Sequence, residues 1–228
     1  MSEQHDPMDD EDEGPGSAPC WLHLLGPDGA PVADPQQARD VARWRSMERA
    51  RLIAERLALP AEYRAAQTAA IEAQLHRLVP ADGNAIVSVY WPIRAEPDLR
   101  PWMHTQHSQG IRIALPVALA LRQPLQFREW TPQARMARGL WNIPYPADGP
   151  EVVPTVMLVP LVGFDAACYR LGYGGGFFDR TLAGLSDKPR LIGLGYPYAL
   201  LRTIFPQPHD VPMDWIVTGS GPPAQRAG

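Results

Sequence analysis

Eleven residues constrain this chain more than any other stretch: Arg170-Leu171-Gly172-Tyr173-Gly174-Gly175-Gly176-Phe177-Phe178-Asp179-Arg180. They follow an apolar run, Val156-Met157-Leu158-Val159-Pro160, that reads as a buried strand. They lead into Phe177 to Leu185, a segment able to form a helix. The glycines between remove Cβ atoms, so the backbone can take positive φ and come close to a ligand.

Peptide N–H groups leaving such a turn at a helix N-terminus make an anion site. Arg170 adds a planar guanidinium that grips phosphate bidentately, and Asp179 adds a hard oxygen of the kind Mg²⁺ prefers. Glycines, cation and carboxylate within ten residues point to a nucleoside triphosphate site. Two common glycine patterns do not apply. The sole lysine is Lys188, so no Walker-type Gly-Lys-Ser/Thr exists. The spacing Gly172, Gly174, Gly176, followed by Asp187, does not fit the dinucleotide fingerprint. A glycine cluster alone reads as a structural turn; the flanking Arg170 and Asp179 tip the reading toward a ligand site.

The stretch resembles the loop of the 5-formyltetrahydrofolate cyclo-ligase family (methenyltetrahydrofolate synthetases), Arg-Leu-Gly-x-Gly-x-Gly-aromatic-aromatic-Asp. The resemblance covers roughly residues 41–218. It implies ATP-dependent cyclisation of 5-formyltetrahydrofolate to 5,10-methenyltetrahydrofolate, with ATP and Mg²⁺. It assigns ATP to Arg45, Arg49, Arg170, Leu171, Gly172, Tyr173, Gly174, Gly175, Gly176 and Phe177. It assigns catalysis to Arg170 and Asp179, metal to Asp179, and substrate to Trp91, Glu96 and Phe178. It also implies a monomer or weak homodimer acting on a small molecule.

Asp34-Pro35-Gln36-Gln37 looks like a helix start, and the helix is expected to run to about Leu57. Its expected core stripe is Val41, Trp44, Met47 or Glu48, and Leu52. Arg45 and Arg49, four apart, share a face; alone they read as solvated charges. In the family a Lys-x-x-x-Arg pair on this helix reaches the ATP phosphates, and Arg45 replaces the lysine. A second helix is expected from Pro60 to about Val79, with Tyr63, Ala66, Ala70, Ile71, Leu75 and Leu78 inward, ended by Asp82-Gly83-Asn84. Ile86 to Trp91 reads as a strand. Trp91-Pro92 through Glu96-Pro97-Asp98 resembles the family's Tyr-Trp-Pro-x-x-x-Glu-x-Asp. Trp91 would offer the pterin a flat apolar face, and Glu96 would accept its N–H groups.

Asp98 is a candidate cap for a helix to Gln109. His104 and His107 on it lack further nearby ligands, so they read as an exposed helix face. Strands are expected at Ile111–Pro116, Leu125–Trp130, Arg190–Leu194 and Trp215–Thr218, with a short helix around Leu200–Ile204. His209-Asp210 reads as a structural clasp. Departures from the family fall at Asn142, Tyr145, Thr155 and Phe177-Phe178, where Gly, Glu, Asp and Tyr-Tyr are usual. Those at Arg45, Asn142, Tyr145, Thr155 and Phe178 motivate a second reading: a paralogue of this fold that binds a folate-like or thiamine-related heterocycle without turnover.

Alternating strands and helices imply an α/β domain with a mainly parallel sheet covered on both faces; the resemblance implies a single three-layer αβα domain over 34–218. Residues 1–33 hold eight acids and no Lys or Arg and read as a disordered extension. Without them the net charge of −4 becomes about +4, too mild for a nucleic-acid binder. Residues 219–228 are expected to fray. No apolar run is long enough to cross a membrane, and the acidic start is no signal peptide. Two cysteines, Cys20 and Cys168, fit a reducing cytoplasm.

Overall fold

The computed structural model describes residues 35–80 and 85–227. Two compact units divide the chain, Met1–Asp40 and Val41–Gly228. Of the first, only residues 35–40 are described, as the opening of helix α1 (Pro35–Ala58). The extension 1–33, the Asp34 cap, Cys20 and the Asp82–Asn84 turn lie outside the described residues.

The second unit is built on a seven-stranded sheet. Its strands are β1 (Ile86–Ser88), β2 (Arg112–Val117), β3 (Gln126–Trp130), β6 (Val156–Pro160), β9 (Arg190–Leu194), β11 (Trp215–Val217) and β12 (Ala224–Gln225), in the order β12-β11-β9-β6-β1-β2-β3. The five central strands are parallel, and both edges pair antiparallel, β2 with β3 and β11 with β12. Beside helix α1 stand α2 (Ala61–Leu78), α3 (Arg100–Ser108) and α4 (Phe177–Gly184).

The unbroken apolar run of β6 follows from its two covered faces. Val156 and Leu158 pack with Ile71 and Leu75 of α2 and Trp102 and Met103 of α3. Met157 and Val159 pack with Leu52 of α1 and Leu182 of α4. Helices on both faces make the expected three layers. Two smaller sheets shape one end: the hairpin β4 (Met136–Arg138) with β5 (Pro144–Pro146), and β7 (Gly163–Asp165) between β8 (Arg170–Leu171) and β10 (Leu200–Leu201). Among the described residues, no helix is long and apolar enough to cross a membrane.

Several elements differ from the sequence expectation. Helix α1 buries Leu52, but Met47 is 66% exposed; the buried positions beside Leu52 are Arg45 and Arg56. In α2, Ile71 and Leu75 are buried, while Tyr63 is exposed. Helix α3 is capped at Leu99 rather than Asp98, whose Oδ1 instead accepts the Arg100 amide at 3.1 Å. His104 and His107 do more than face solvent: each lies edge-on to Trp130, with centroids 5.0 and 6.3 Å away. The helix expected at Leu200–Ile204 is replaced by a 3₁₀ turn at Pro197–Ala199 and strand β10. There Asp165 Oδ2 takes the Ile204 amide at 3.1 Å and Thr203 Oγ1 the Phe205 amide at 2.9 Å, so these donors serve no helix. The tail is not wholly frayed, because β12 pairs with β11.

Candidate active site

A cleft of about 610 Å³ opens at the carboxyl ends of the parallel strands, where Tyr90 follows β1, Val117 ends β2 and Pro160 ends β6. Every site residue singled out from the sequence lines it: Arg45 and Arg49 from α1, Trp91 and Glu96 from the loop after β1, and the whole run Arg170 to Asp179. The β4–β5 hairpin supplies the opposite lip through Gly139, Leu140, Trp141, Ile143 and Tyr145.

The β7–β8 hairpin delivers the glycine loop, and α4 leaves it. Gly176 caps that helix at φ +63°, and Gly174 takes φ +93°, conformations that side-chain-bearing residues avoid. A Cβ on Gly174 would also stand 3.4 Å from Arg49 Cζ. The loop therefore lies against the arginine, with α4 opening directly beyond it.

The cations fall into two kinds. Arg45 has its donors committed to the protein. Its Nε reaches the Ile204 carbonyl, and its Nη2 reaches the Phe205 carbonyl, both at 2.9 Å. Nη2 also meets Asp210 Oδ2 at 2.5 Å. Asp210 further accepts the Gln207 amide at 2.6 Å. The clasp expected of the His209-Asp210 pair is made by Asp210 alone, onto Arg45 of α1; His209 is 3.9 Å from the carboxylate and exposed. Arg49 differs. Its Nε donates to the Gly172 carbonyl at 2.7 Å, and neither Nη has a hydrogen-bond partner among the described residues. Burial, then repulsion from Arg45, pushes Arg49 below the ordinary arginine value. A half-buried cation with a free guanidinium edge is a ready anion receptor.

Arg170 is 7% exposed, pairs with Asp179 and stands over the Phe178 ring, 5.6 Å from its centroid. Burial pushes it down, and Asp179 and Asp210 oppose that. No group of three or more His, Cys, Asp or Glu is placed to hold a metal among the described residues. Of the three carboxylates lining the cleft, Glu96 and Asp210 have both oxygens engaged by protein donors, whereas Asp179 keeps one oxygen without a partner among the described residues. That donor set fits Mg²⁺, which typically takes one or two protein carboxylates and completes its shell with water and phosphate oxygens.

Glu96 is 5% exposed. The loop folds back through Arg94 and Ala95, both at positive φ, so that Glu96 Oε2 accepts the Ile93 amide at 2.8 Å. Its Oε1 accepts the Tyr173 hydroxyl at 2.8 Å. Tyr173 in turn accepts from Arg56 Nη2. Burial pushes the Glu96 carboxyl up, against the pull of the Ile93 amide, Arg56 and Tyr173. Trp91 borders the cleft, with Arg100 5.5 Å from its ring centroid. Phe177 meets Trp141 edge-on at 5.4 Å.

Sequence reasoning missed Arg56 and Asp210 as site-forming residues. The spacing Arg45, Arg49, Leu52, Arg56 marks one helix face and was the available signal. Of the departures noted, Tyr145 lies in the cleft, 5.7 Å under the Arg128 guanidinium. Thr155 does not: its Oγ1 accepts the Ile86 amide at 3.1 Å, fixing the start of β1 at the other end of the sheet.

Residues 41–219 match the model of the 5-formyltetrahydrofolate cyclo-ligase family. A 5-formyltetrahydrofolate cyclo-ligase of Mycolicibacterium smegmatis is 31% identical over 184 residues, spanning 77% of this chain and 94% of the relative. One from Escherichia coli is 31% identical over 141 residues, 59% of this chain and 78% of the relative. The NMR structure of Aquifex aeolicus 5,10-methenyltetrahydrofolate synthetase superposes with a TM-score of 0.69 at 25% identity, covering 81% of this chain and 94% of the other. Matched over nearly the whole α/β unit, the chain belongs to the 5-formyltetrahydrofolate cyclo-ligase family.

Proposed function

We propose that this cleft converts 5-formyltetrahydrofolate to 5,10-methenyltetrahydrofolate at the expense of ATP, with the glycine loop holding the nucleotide and the Trp91–Glu96 loop holding the pterin. One observation carries the reading: a glycine loop flanked by a free guanidinium edge on Arg49 and the Asp179 carboxylate faces the same cleft as Glu96 and Trp91.

The formamide oxygen of the substrate is a poor leaving group. It attacks the γ-phosphorus, ADP departs, and an imidate phosphate forms. N10 of the same molecule then attacks the formyl carbon, phosphate leaves, and the N10 proton is lost. No enzyme nucleophile is needed; the protein positions and neutralises. In this reading Arg49, Arg170 and the loop amides from Gly172 to Phe177 neutralise the phosphates. Arg45 contributes field from behind, because its donors already hold Asp210. Asp179 would hold Mg²⁺, which supplies charge neutralisation across the phosphates. Trp91 and Phe178 flank the pterin, and Glu96 accepts its amino and ring N–H groups. The buried thiol of Cys168, without a disulfide partner among the described residues, suits a reducing cytoplasm.

The direct test mixes purified protein, Mg-ATP and 5-formyltetrahydrofolate and follows the absorbance of the methenyl product. Growth of that band only when ATP is present is the expected result. A flat trace with ATP left intact would sink the assignment.

A further inference from the structure

Tyr173 stands between two buried charges that do not touch each other. Its hydroxyl donates to Glu96 Oε1 at 2.8 Å and accepts from Arg56 Nη2. Arg56 is 1% exposed and is anchored by the Arg94 carbonyl at 2.9 Å and the Leu161 carbonyl at 3.2 Å. The Tyr173 ring also lies under both neighbouring guanidiniums, Arg56 at 5.6 Å and Arg94 at 5.7 Å from its centroid. Three separate segments thus meet at one phenol: helix α1, the 93–96 turn and the glycine loop.

A carboxylate offers about four lone-pair sites. On Glu96 the Ile93 amide takes one site on Oε2 and Tyr173 takes one on Oε1. One site per oxygen remains, the arrangement that two adjacent N–H donors on a heterocycle need. Both oxygens are held before the ligand arrives, which lowers the ordering cost of binding. Tyr173 also belongs to the loop whose Gly172 carbonyl is gripped by Arg49. A ligand that fixes Glu96 therefore fixes the phosphate loop as well.

We propose that Tyr173 is a positioning residue that aims Glu96 at the folate, with Arg56 as the distal counter-charge, and that it makes folate and nucleotide bind cooperatively. This rests on the reading of Glu96 as the folate acceptor. The groups facing Glu96 are Arg56 from α1, Arg94 from its own turn, Tyr173 from the glycine loop, and Tyr90 and Tyr196 from the sheet side. Removing the Tyr173 hydroxyl strips one stabiliser from a carboxylate that burial already pushes up. Ionisation then needs a higher pH.

The test compares Tyr173→Phe, which keeps the ring, with Glu96→Gln and the wild type. For Y173F the KM for 5-formyltetrahydrofolate is expected to rise about tenfold, as for a lost hydrogen bond to a charged group, with kcat little changed. The acid limb of its kcat/KM profile for the folate moves to higher pH. The factor by which saturating folate tightens a non-hydrolysable ATP analogue, read by calorimetry, falls toward one; such coupling is reciprocal. If E96Q raises the folate KM while Y173F matches the wild type in KM, acid limb and coupling, the inference is overturned and the proposed function stands. If E96Q itself leaves the folate KM unchanged, both fail.

Discussion

Arg170 and Asp179 share a single carboxylate oxygen. Arg170 Nη1 lies 3.1 Å and Nη2 3.0 Å from Asp179 Oδ1, and the Val211 amide approaches the same atom at 3.3 Å. Oδ2 has no hydrogen-bond partner among the described residues. The guanidinium thus fixes the carboxylate while leaving one oxygen for a cation. Asp179→Asn keeps the volume and an acceptor for Arg170 but removes the charge. It is expected to lower kcat by on the order of a hundredfold, the loss typical of one electrostatic stabiliser, and to raise the Mg²⁺ needed for half-maximal rate. A magnesium titration of the steady-state rate checks this; a curve overlaying the wild type would overturn the metal role proposed for Asp179.

Arg49 spends one donor on the Gly172 carbonyl and leaves its guanidinium edge free. Arg49→Gln is therefore expected to raise the KM for ATP by roughly tenfold to a hundredfold, the worth of one charge-assisted bond. The folate KM moves far less, because Glu96, the acceptor proposed for the folate, is held by other partners. Steady-state kinetics with each substrate varied in turn separates the two. An equal rise in both constants would point to a collapsed loop rather than a lost phosphate contact.

Local chemistry made the glycine loop legible, since glycines, a cation and a carboxylate in one short run only make sense together, whereas the Trp91–Glu96 turn was legible through its resemblance to the family's segment. Both reached the same cleft. The unbroken run Val156–Pro160 also announced a strand covered on both faces. Helix α1 hid its inner face for a physical reason. A search for apolar periodicity looks for a greasy stripe, but Leu52 shares its burial with Arg45 and Arg56. Those guanidiniums are satisfied by the carbonyls of Ile204, Arg94 and Leu161, partners far away in the chain. Spacing along one helix carries no trace of such bonds. The same holds at Ile204, where Asp165 captures the amide, and at β12, which exists only because β11 lies beside it.

The four loop glycines are not equivalent. Gly174 has φ +93° and would bring a Cβ to 3.4 Å from Arg49, whereas a Cβ on Gly172 meets nothing within 4 Å. Gly174→Ala forces a side chain into a left-handed conformation, a strain of about 1–2 kcal/mol, and presses on Arg49, the arginine proposed to hold phosphate. Its ATP KM should rise clearly more than that of Gly172→Ala. Parallel ATP titrations of the two variants read the difference directly. The opposite ranking would mean that the loop rearranges when nucleotide binds.

Asp210 ties helix α1 to the segment before β11 through Arg45, and both side chains are about nine-tenths buried. Burial alone would raise the Asp210 carboxyl, but the hydrogen bonds from Arg45 and the Gln207 amide bring it below its ordinary value of 3.8. A depressed folded-state value means that the contribution to stability is fully present above the unfolded value and is lost as pH falls through the folded one. At pH 7, Asp210→Asn should cost roughly 3 kcal/mol, as for breaking a buried ion pair from one side. Below the unfolded value near 3.8 the wild type progressively loses the same interaction, so the gap between the two proteins should narrow. Urea unfolding of both between pH 3 and pH 7 provides the comparison. A gap that stays constant across that window would show that the charge on Asp210 is not what secures α1.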